Sequence, residues 1–376
     1  MLAGAAAWRP LRAGAQTGRP LLLAWGADGL WVGHEGEERL ARLSAQALAP
    51  VDPVAHAGGV VAVDAAGRMR AWRHDSAAWR EVWSLVLDDA VHALGASDDG
   101  AWVLAAHGRA LSLADGAGRV QRTYAGRDAL GRIQGSASVL RYHARRHSFV
   151  VAWPALGELW EIQLDAAAPP VFDGLVHDWR MGEAIATPGH LGVRRAPLGA
   201  PVPPIDFCDA RVAWVAGAVD GQVHVVHLDV RRRIASLPLG PARPRGAALV
   251  RDGGSLQWWL PAADAVHVID PSRWRPIAVH ATPGPVRAVV SMPGAVWARL
   301  EHASALHAWQ SGRWQPVEAA PASVGHIAPT AAGDGLLCEG AEPRALLQLD
   351  ERGRVVQRWR WPDSGVPLQG ITGFAA

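Results

Sequence analysis

The sequence predicts an all-β protein, a single eight-bladed β-propeller spanning residues 1–376. Three observations predict it. First, one theme recurs about eight times: a short apolar strand, a turn, a second strand, and a third strand that often ends in Asp. Segments 101–115 (AWVLAAHGRALSLAD), 212–229 (VAWVAGAVDGQVHVVHLD), 255–270 (SLQWWLPAADAVHVID) and 335–350 (GLLCEGAEPRALLQLD) show it most clearly. Repetition at such a period marks an array of supersecondary units, and short strands make the array a propeller. Second, Val, Trp, Leu and Ile fill the runs while Gly, Asp, Pro and Ser punctuate them. Third, Asp-Gly pairs at 28–29, 99–100, 220–221, 252–253 and 334–335 sit between apolar runs, as tight hairpins require.

Taken in order, the units begin near Leu21, Val54, Val91, Ser138, Ile205, Ala247, Val286 and Gly325. Most starts are about 37–46 residues apart, enough for four strands and their loops. The interval from Ser138 to Ile205 is 67 residues. Its excess falls at 166–203, after the strand Glu158–Asp165, and reads as a long Pro- and Gly-rich excursion on one face. Residues 37–46 read as strand and loop rather than helix. The ring needs a closing strand, for which Trp8–Ala13 and the tail Leu368–Phe374 are the two candidates. The 19 tryptophans read as flat filler between tapered blades.

Composition narrows the function classes. Apolar residues make up 49 % of the chain and charged residues 19 %, which suits a large core. A net charge of +2 without a long basic block argues against nucleic acid as a partner. All 37 basic residues are Arg, so an anion site here must use guanidinium forks or backbone N–H groups. Cys208 and Cys338 lie in or beside strands and read as two buried thiols. There is no Cys-x-x-Cys or Cys-x-x-Cys-His, hence no covalent c-type haem and no zinc ribbon. No apolar run reaches the roughly 18–20 residues of a membrane span. The start, MLAGAAAWRPLRAGA, lacks the features of an intact signal peptide. His-Glu-x-x-His, Gly-x-Ser-x-Gly and P-loop patterns do not occur. His143 and His147, four apart on a loop and strand, do not read as a metal pair.

The segment that breaks the repeat carries a resemblance. Residues 147–195 read HSFVVAWPALGELWEIQLDAAAPPVFDGLVHDWRMGEAIATPGHLGVRR. They resemble the middle of the cytochrome d1 propeller family, which includes the haem d1 domain of cytochrome cd1 nitrite reductases and haem d1 biosynthesis proteins. The stretch VVHLDVRRRIASLPL at 225–239 is similar to that family's next blade. The resemblance is strongest over about 130–240 and weakest at both ends.

That resemblance implies an eight-bladed propeller holding haem d1, or a haem d1 precursor, in its funnel. It also implies a periplasmic location and, as partners, other haem d1 assembly or nitrite reductase proteins. One His would bind iron axially and Arg residues would pair with ring carboxylates. Blade order points to His56 as the axial ligand, whereas the local pattern Ala-Val-His points to His92; a structural His at a strand start remains the alternative to both. In the excursion, His177 and Arg180, with Asp178 and Glu183, would reach over the funnel mouth, or else form a solvated loop held by their own ion pairs. Arg194 and Arg195 are further carboxylate candidates that could equally face water. The run 231–233 reads as solvated. The family's Pro-His-Leu-Gly-type turn is replaced by 242–246 (ARPRG), without a His, where Arg245 is the remaining candidate partner. Residues 291–294 (SMPG) also lack the family's His, and 365–376 match the family's closing segment poorly. Without these groups and a haem c motif, a self-sufficient nitrite reductase is not expected. The expected function is binding of a haem d1-like tetrapyrrole or its precursor during haem d1 assembly. The alternatives are a degenerate propeller that has lost its cofactor and acts as an interaction scaffold, and residual redox chemistry with an external electron acceptor.

Overall fold

The protein is represented by a computed structural model. It describes residues 19–374 except 45, 76–77, 172–186, 199–211, 220, 241–245, 253, 293, 302–305, 319, 321–323, 341–344 and 363–366. Eight antiparallel sheets form the blades of a ring; among the described residues seven have four strands and one has three. Among the described residues, first strands touch from blade 2 through blade 4 and from blade 6 through blade 8 to blade 1, and so line the axis. Blades 2, 3, 4, 6, 7 and 8 begin with Val54–His56, Val91–Ala96, Val139–His143, Ala248–Asp252, Val286–Met292 and Val324–Pro329. These starts fall within a residue or so of those read from the sequence. Blade 5 comprises Trp214–Val219, Gln222–His227 and Arg232–Pro238; the expected start at Ile205 lies outside the described residues.

The ring closes through the C-terminal candidate. Leu368–Gly373 pairs antiparallel with Pro20–Gly26 and becomes the innermost strand of blade 1, whose outer strands are Gly29–His34 and Ala41–Ser44. The other candidate, residues 8–13, lies outside the described residues.

Burial explains the strand sequences. A middle strand has a neighbouring blade on each face, so it is apolar throughout rather than alternating. Gly59–Val63 and Ser148–Trp153 are buried at every position. Outer strands have one open edge and alternate, as in Trp79–Val86. Trp31, Trp153, Trp160, Trp297 and Trp359 are among the largest fully buried side chains, in keeping with their reading as filler. Cys338 is buried and free, its thiol pushed up to about 12 by burial and the neighbouring Glu339 carboxylate. Cys208 lies outside the described residues.

The Asp that ends many third strands caps the following turn. In blade 3, Asp115 Oδ1 accepts the N–H groups of Ala117 and Arg119 while Oδ2 accepts Arg119 Nε at 2.8 Å. Asp350 repeats this arrangement in blade 8 with Arg352 and Arg354.

The excursion requires a correction. Val193–Pro197 is the fourth strand of blade 4, paired with Glu158–Gln163, so the interruption lies inside blade 4 rather than between blades 4 and 5. Its described ends are tied back by a Val171–Thr187 bridge and by Tyr124 Oη, which donates to Leu191 O at 2.8 Å.

Candidate functional site at one mouth of the channel

The described first strands run in one direction along the axis, so they start at the same mouth. Four of them bulge just inside that mouth. Val91 pairs with His107 and Ala93 with Ala106, leaving His92 as the extra residue. Arg287 is extra in blade 7, between Val286 and Ala288. Gln369 is extra in blade 1, and Gly325 with His326 interrupt the pairing of blade 8. A bulge leaves its residue outside the ladder and re-aims its side chain, which is why bulges recur beside functional sites. His92, Arg287 and Gln369 are exposed although they sit on innermost strands. Blades 3 and 7 are four apart in a ring of eight, so His92 and Arg287 occupy opposite sides of the ring at this mouth.

The His92 ring is positioned by a neighbour. Its Nε2 lies 3.0 Å from Ala137 O at the entry to blade 4. A carbonyl only accepts, so Nε2 carries the hydrogen of this bond. Such a bond is how proteins fix the tautomer and orientation of an imidazole that must ligate. Below it, His107 Nε2 bonds Ser112 Oγ at 2.8 Å, and burial lowers its pKa.

Blades 7 and 8 add a polar group that sequence reasoning missed. Arg299 Nε donates to Val324 O at 3.1 Å. Burial, then the Arg287 guanidinium, lower the Arg299 pKa, while Glu339 and Glu301 oppose them. His326 Nδ1 lies 3.1 Å from Glu339 Oε2, which also accepts the His326 backbone N–H at 3.3 Å. A Cβ on Gly325 would overlap the Glu339 carboxylate, so the Gly-His pair is what admits this contact. The sequence signal was present: Val-His-Ala at 91–93 and Val-Arg-Ala at 286–288 mark the same bulged position.

The other expected site residues are placed elsewhere. His56 ends its strand at the opposite mouth and packs between blades 2 and 3, beside Trp72, Trp83 and Gly100, around a void of about 10 Å³. Its Nδ1 lies 3.2 Å from Ala57 O, and burial lowers its pKa. That leaves His56 as packing between blades, not a group presented to the channel. Arg194 and Arg195 stand on the outermost strand of blade 4. Arg194 pairs with Glu161 at 3.3 Å and Asp229 at 3.6 Å. Arg195 pairs with Glu158 at 3.1 Å and stacks 4.3 Å over the Trp160 ring. Of the two readings for these arginines, these pairings put both guanidiniums on carboxylates of their own chain, on the outer side of blade 4. His177, Asp178, Arg180, Glu183 and Arg245 lie outside the described residues. The described ends of the excursion leave from the mouth opposite His92.

Among the described residues no three His, Cys, Asp or Glu side chains converge as a metal site. A macrocycle supplies four ring nitrogens to its iron and asks the protein for an axial ligand, for which one oriented imidazole suffices. The polar groups at this mouth are two positioned imidazoles, His92 and His326, and two guanidiniums, Arg287 and Arg299.

The fold and this mouth define an eight-bladed propeller with a polar channel entrance. Comparison with solved structures gives the same architecture. The chain superposes on dihydro-haem d1 dehydrogenase NirN in complex with DHE with a TM-score of 0.76 and 19 % identity, covering 97 % of this chain and 77 % of that one. The sequence resemblance to the cytochrome d1 propellers is thus matched at the level of fold. Looser likenesses reach a chain of the mitotic checkpoint complex (TM-score 0.52, 12 % identity, 96 % and 97 % covered) and BamB from Moraxella catarrhalis (TM-score 0.52, 12 % identity, 83 % and 88 % covered). No protein-family model matches the chain, and no curated protein matches it in sequence. No helix among the described residues is long and apolar enough to cross a membrane.

Proposed function

We propose that the protein binds a haem d1-like tetrapyrrole, or a precursor of one, in the channel at the mouth where the first strands begin. The observation that carries this reading is the bulged, exposed His92, held through Nε2 by Ala137 O, with the bulged Arg287 on the opposite side of the ring. His92 would supply the axial nitrogen in place of His56. Arg287 and Arg299 would meet ring carboxylates, since charge-assisted guanidinium–carboxylate bonds are the strong ones. The His326–Glu339 pair would add hydrogen-bonding groups beside the ring. When bound, the macrocycle supplies the redox chemistry; the chain's own residues bind it, orient it and limit access of water. The likeness to NirN, whose structure contains DHE, supports a ligand of this class. Under this reading the protein acts in haem d1 assembly linked to denitrification, in the periplasm, alongside other proteins of that assembly or of nitrite reduction.

The test is a titration of the purified protein with haem d1, followed by absorbance. The wild type should give a saturable spectral shift. His92→Ala should lose the axial component of that shift. Arg287→Ala should bind about tenfold more weakly, the loss of one charge-assisted contact. A wild type with neither a spectral shift nor thermal stabilisation would overturn the proposal. It would leave the scaffold reading, which the internal pairing of His326 with Glu339 also favours.

A further inference from the structure

The connection from blade 3 to blade 4 carries exposed apolar groups that the core does not use. It leaves the outer strand Val120–Ala125 and enters the first strand Val139–His143, so it stands at the mouth where His92 lies. Residues 126–135 close on themselves. The Gly135 N–H donates to Gly126 O at 3.0 Å, and the Asp128 N–H donates to Ile133 O at 3.0 Å. Asp128 Oδ1 accepts the N–H groups of Arg132 at 2.6 Å and Ile133 at 2.9 Å. Neighbouring elements fix the loop from outside. Ser136 Oγ donates to Gly108 O at 2.6 Å in the adjacent hairpin of blade 3, and Arg195 Nη1 of blade 4 donates to Arg127 O at 2.8 Å. The loop is therefore firmly held, yet residues 129–134 are all exposed.

Turns favour small and polar residues, but this one presents Leu130, 63 % exposed, and Ile133, 48 % exposed. Among the described residues Leu130 is the most exposed large apolar side chain. Others, such as Val86, Val279 and Val356, stand on outer strands, where β-branched residues suit the backbone. Leu130 and Ile133 have no such backbone reason.

Positive charge flanks them. Arg127, Arg132 and, from the hairpin beside the loop, Arg109 are exposed. Arg109 Nη1 donates to the neutral Gln134 Oε1 at 3.2 Å, and among the described residues no carboxylate pairs with Arg127 or Arg132. The loop's one acid, Asp128, is half-buried and occupied by backbone N–H groups. Asp89, against Gly108, bounds the cationic patch on the blade 2 side. Apolar tips flanked by arginines are what an anionic lipid surface binds. The tips enter the headgroup boundary and the guanidiniums meet lipid phosphates. A protein partner of ordinary size would need roughly 800 Å² on this side, more than these side chains offer.

We propose that loop 126–135 docks the protein on an anionic phospholipid bilayer, with Leu130 and Ile133 inserted and Arg109, Arg127 and Arg132 on the headgroups. The proposal stands without the tetrapyrrole reading. It also turns the mouth bearing His92 toward the lipid.

The test is co-sedimentation of the full-length protein with phosphatidylcholine vesicles, with and without phosphatidylglycerol. The wild type should sediment with the anionic vesicles, less so as salt rises, and weakly with the neutral ones. Leu130→Ser/Ile133→Ser should lower partitioning at least about tenfold through lost apolar burial. Arg132→Gln should lower it about fivefold, the contribution of one arginine at an anionic surface. Asp128 bonds backbone N–H groups, so these exposed substitutions keep the loop closed. Equal sedimentation of the double variant and the wild type would overturn the proposal. Binding to neutral vesicles as tight as to anionic ones would do the same. Failure of the wild type to sediment with either would overturn it too and leave the loop as a protein contact.

Discussion

Glu161 is the strongest single test of what holds blades 4 and 5 together. Its side chain is 2 % exposed and accepts Arg146 Nε at 2.5 Å, Arg146 Nη2 at 3.1 Å, Ser148 Oγ at 3.0 Å and Arg194 Nη1 at 3.3 Å. Arg146, itself only 11 % exposed, crosses to Asp229 of blade 5 at 2.8 Å. Glu161→Gln keeps the shape and removes the charge, stranding Arg146 with one half-exposed partner. Breaking a buried pair in this way costs about 3–5 kcal/mol. Unfolding entropy near about 2.1 cal/mol/K per residue, over 376 residues, gives roughly 0.8 kcal/mol/K. The expected fall in Tm is therefore about 4–6 °C by scanning calorimetry. The double variant Arg146→Met/Glu161→Leu should recover most of it, because a matched apolar pair removes both desolvation penalties. A Tm for Glu161→Gln within about 1 °C of wild type would refute the reasoning, since the pair would then be no better than a surface bridge.

Other parts of the ring give further expectations. His34 is fully buried and accepts Trp79 Nε1–H at 3.3 Å; burial, then His74, lower its pKa to about 4. Because the unfolded chain binds this proton first, the stability is complete above about pH 6.5 and is lost as pH falls toward 4. The Tm of His34→Leu should vary less over that window than that of wild type; equal slopes would sink the idea. Gly100 has φ 68°, and a Cβ there would overlap the His56 ring. Gly100→Ala should cost about 2–4 kcal/mol from strain and displacement together, read as a lower urea midpoint at unchanged slope. A change below about 0.5 kcal/mol would show that the ring moves freely.

The blade starts were legible because middle strands must be apolar on both faces, and runs such as Phe149–Trp153 announce that need. The outer strand of blade 4 was not. Val193–Pro197 carries two arginines and no alternation, and its partner, Glu158–Gln163, lies some thirty residues back. Edge strands need little hydrophobic burial, so a loop-like sequence suffices. His56 and His92 looked alike as histidines near blade starts. Their difference is positional: His56 ends a three-residue strand and turns into the blade interface, while His92 falls on a bulge. A bulge is a backbone event whose trace in the sequence is faint: the shared Val-x-Ala of 91–93 and 286–288 marks two of them, and Gly325-His326 in blade 8 has no such mark.

The bulge itself can be tested apart from its side chain. Val91 and Ala93 already pair with His107 and Ala106, which are consecutive, so deleting His92 leaves a regular ladder. If the extra residue serves the channel, the deletion should be nearly neutral for folding, since an unpaired residue contributes no ladder bond. A Tm within about 2 °C of wild type is expected, corresponding to a change below roughly 1.5 kcal/mol at the entropy above. Haem d1 binding should fall as far as it does in His92→Ala. The opposite result, a protein that unfolds on deletion while His92→Ala stays folded, would assign the bulge to closure of the ring. The four bulged first strands would then be an architectural device, and the exposed imidazole and guanidinium at the mouth would follow from that geometry, not from a ligand.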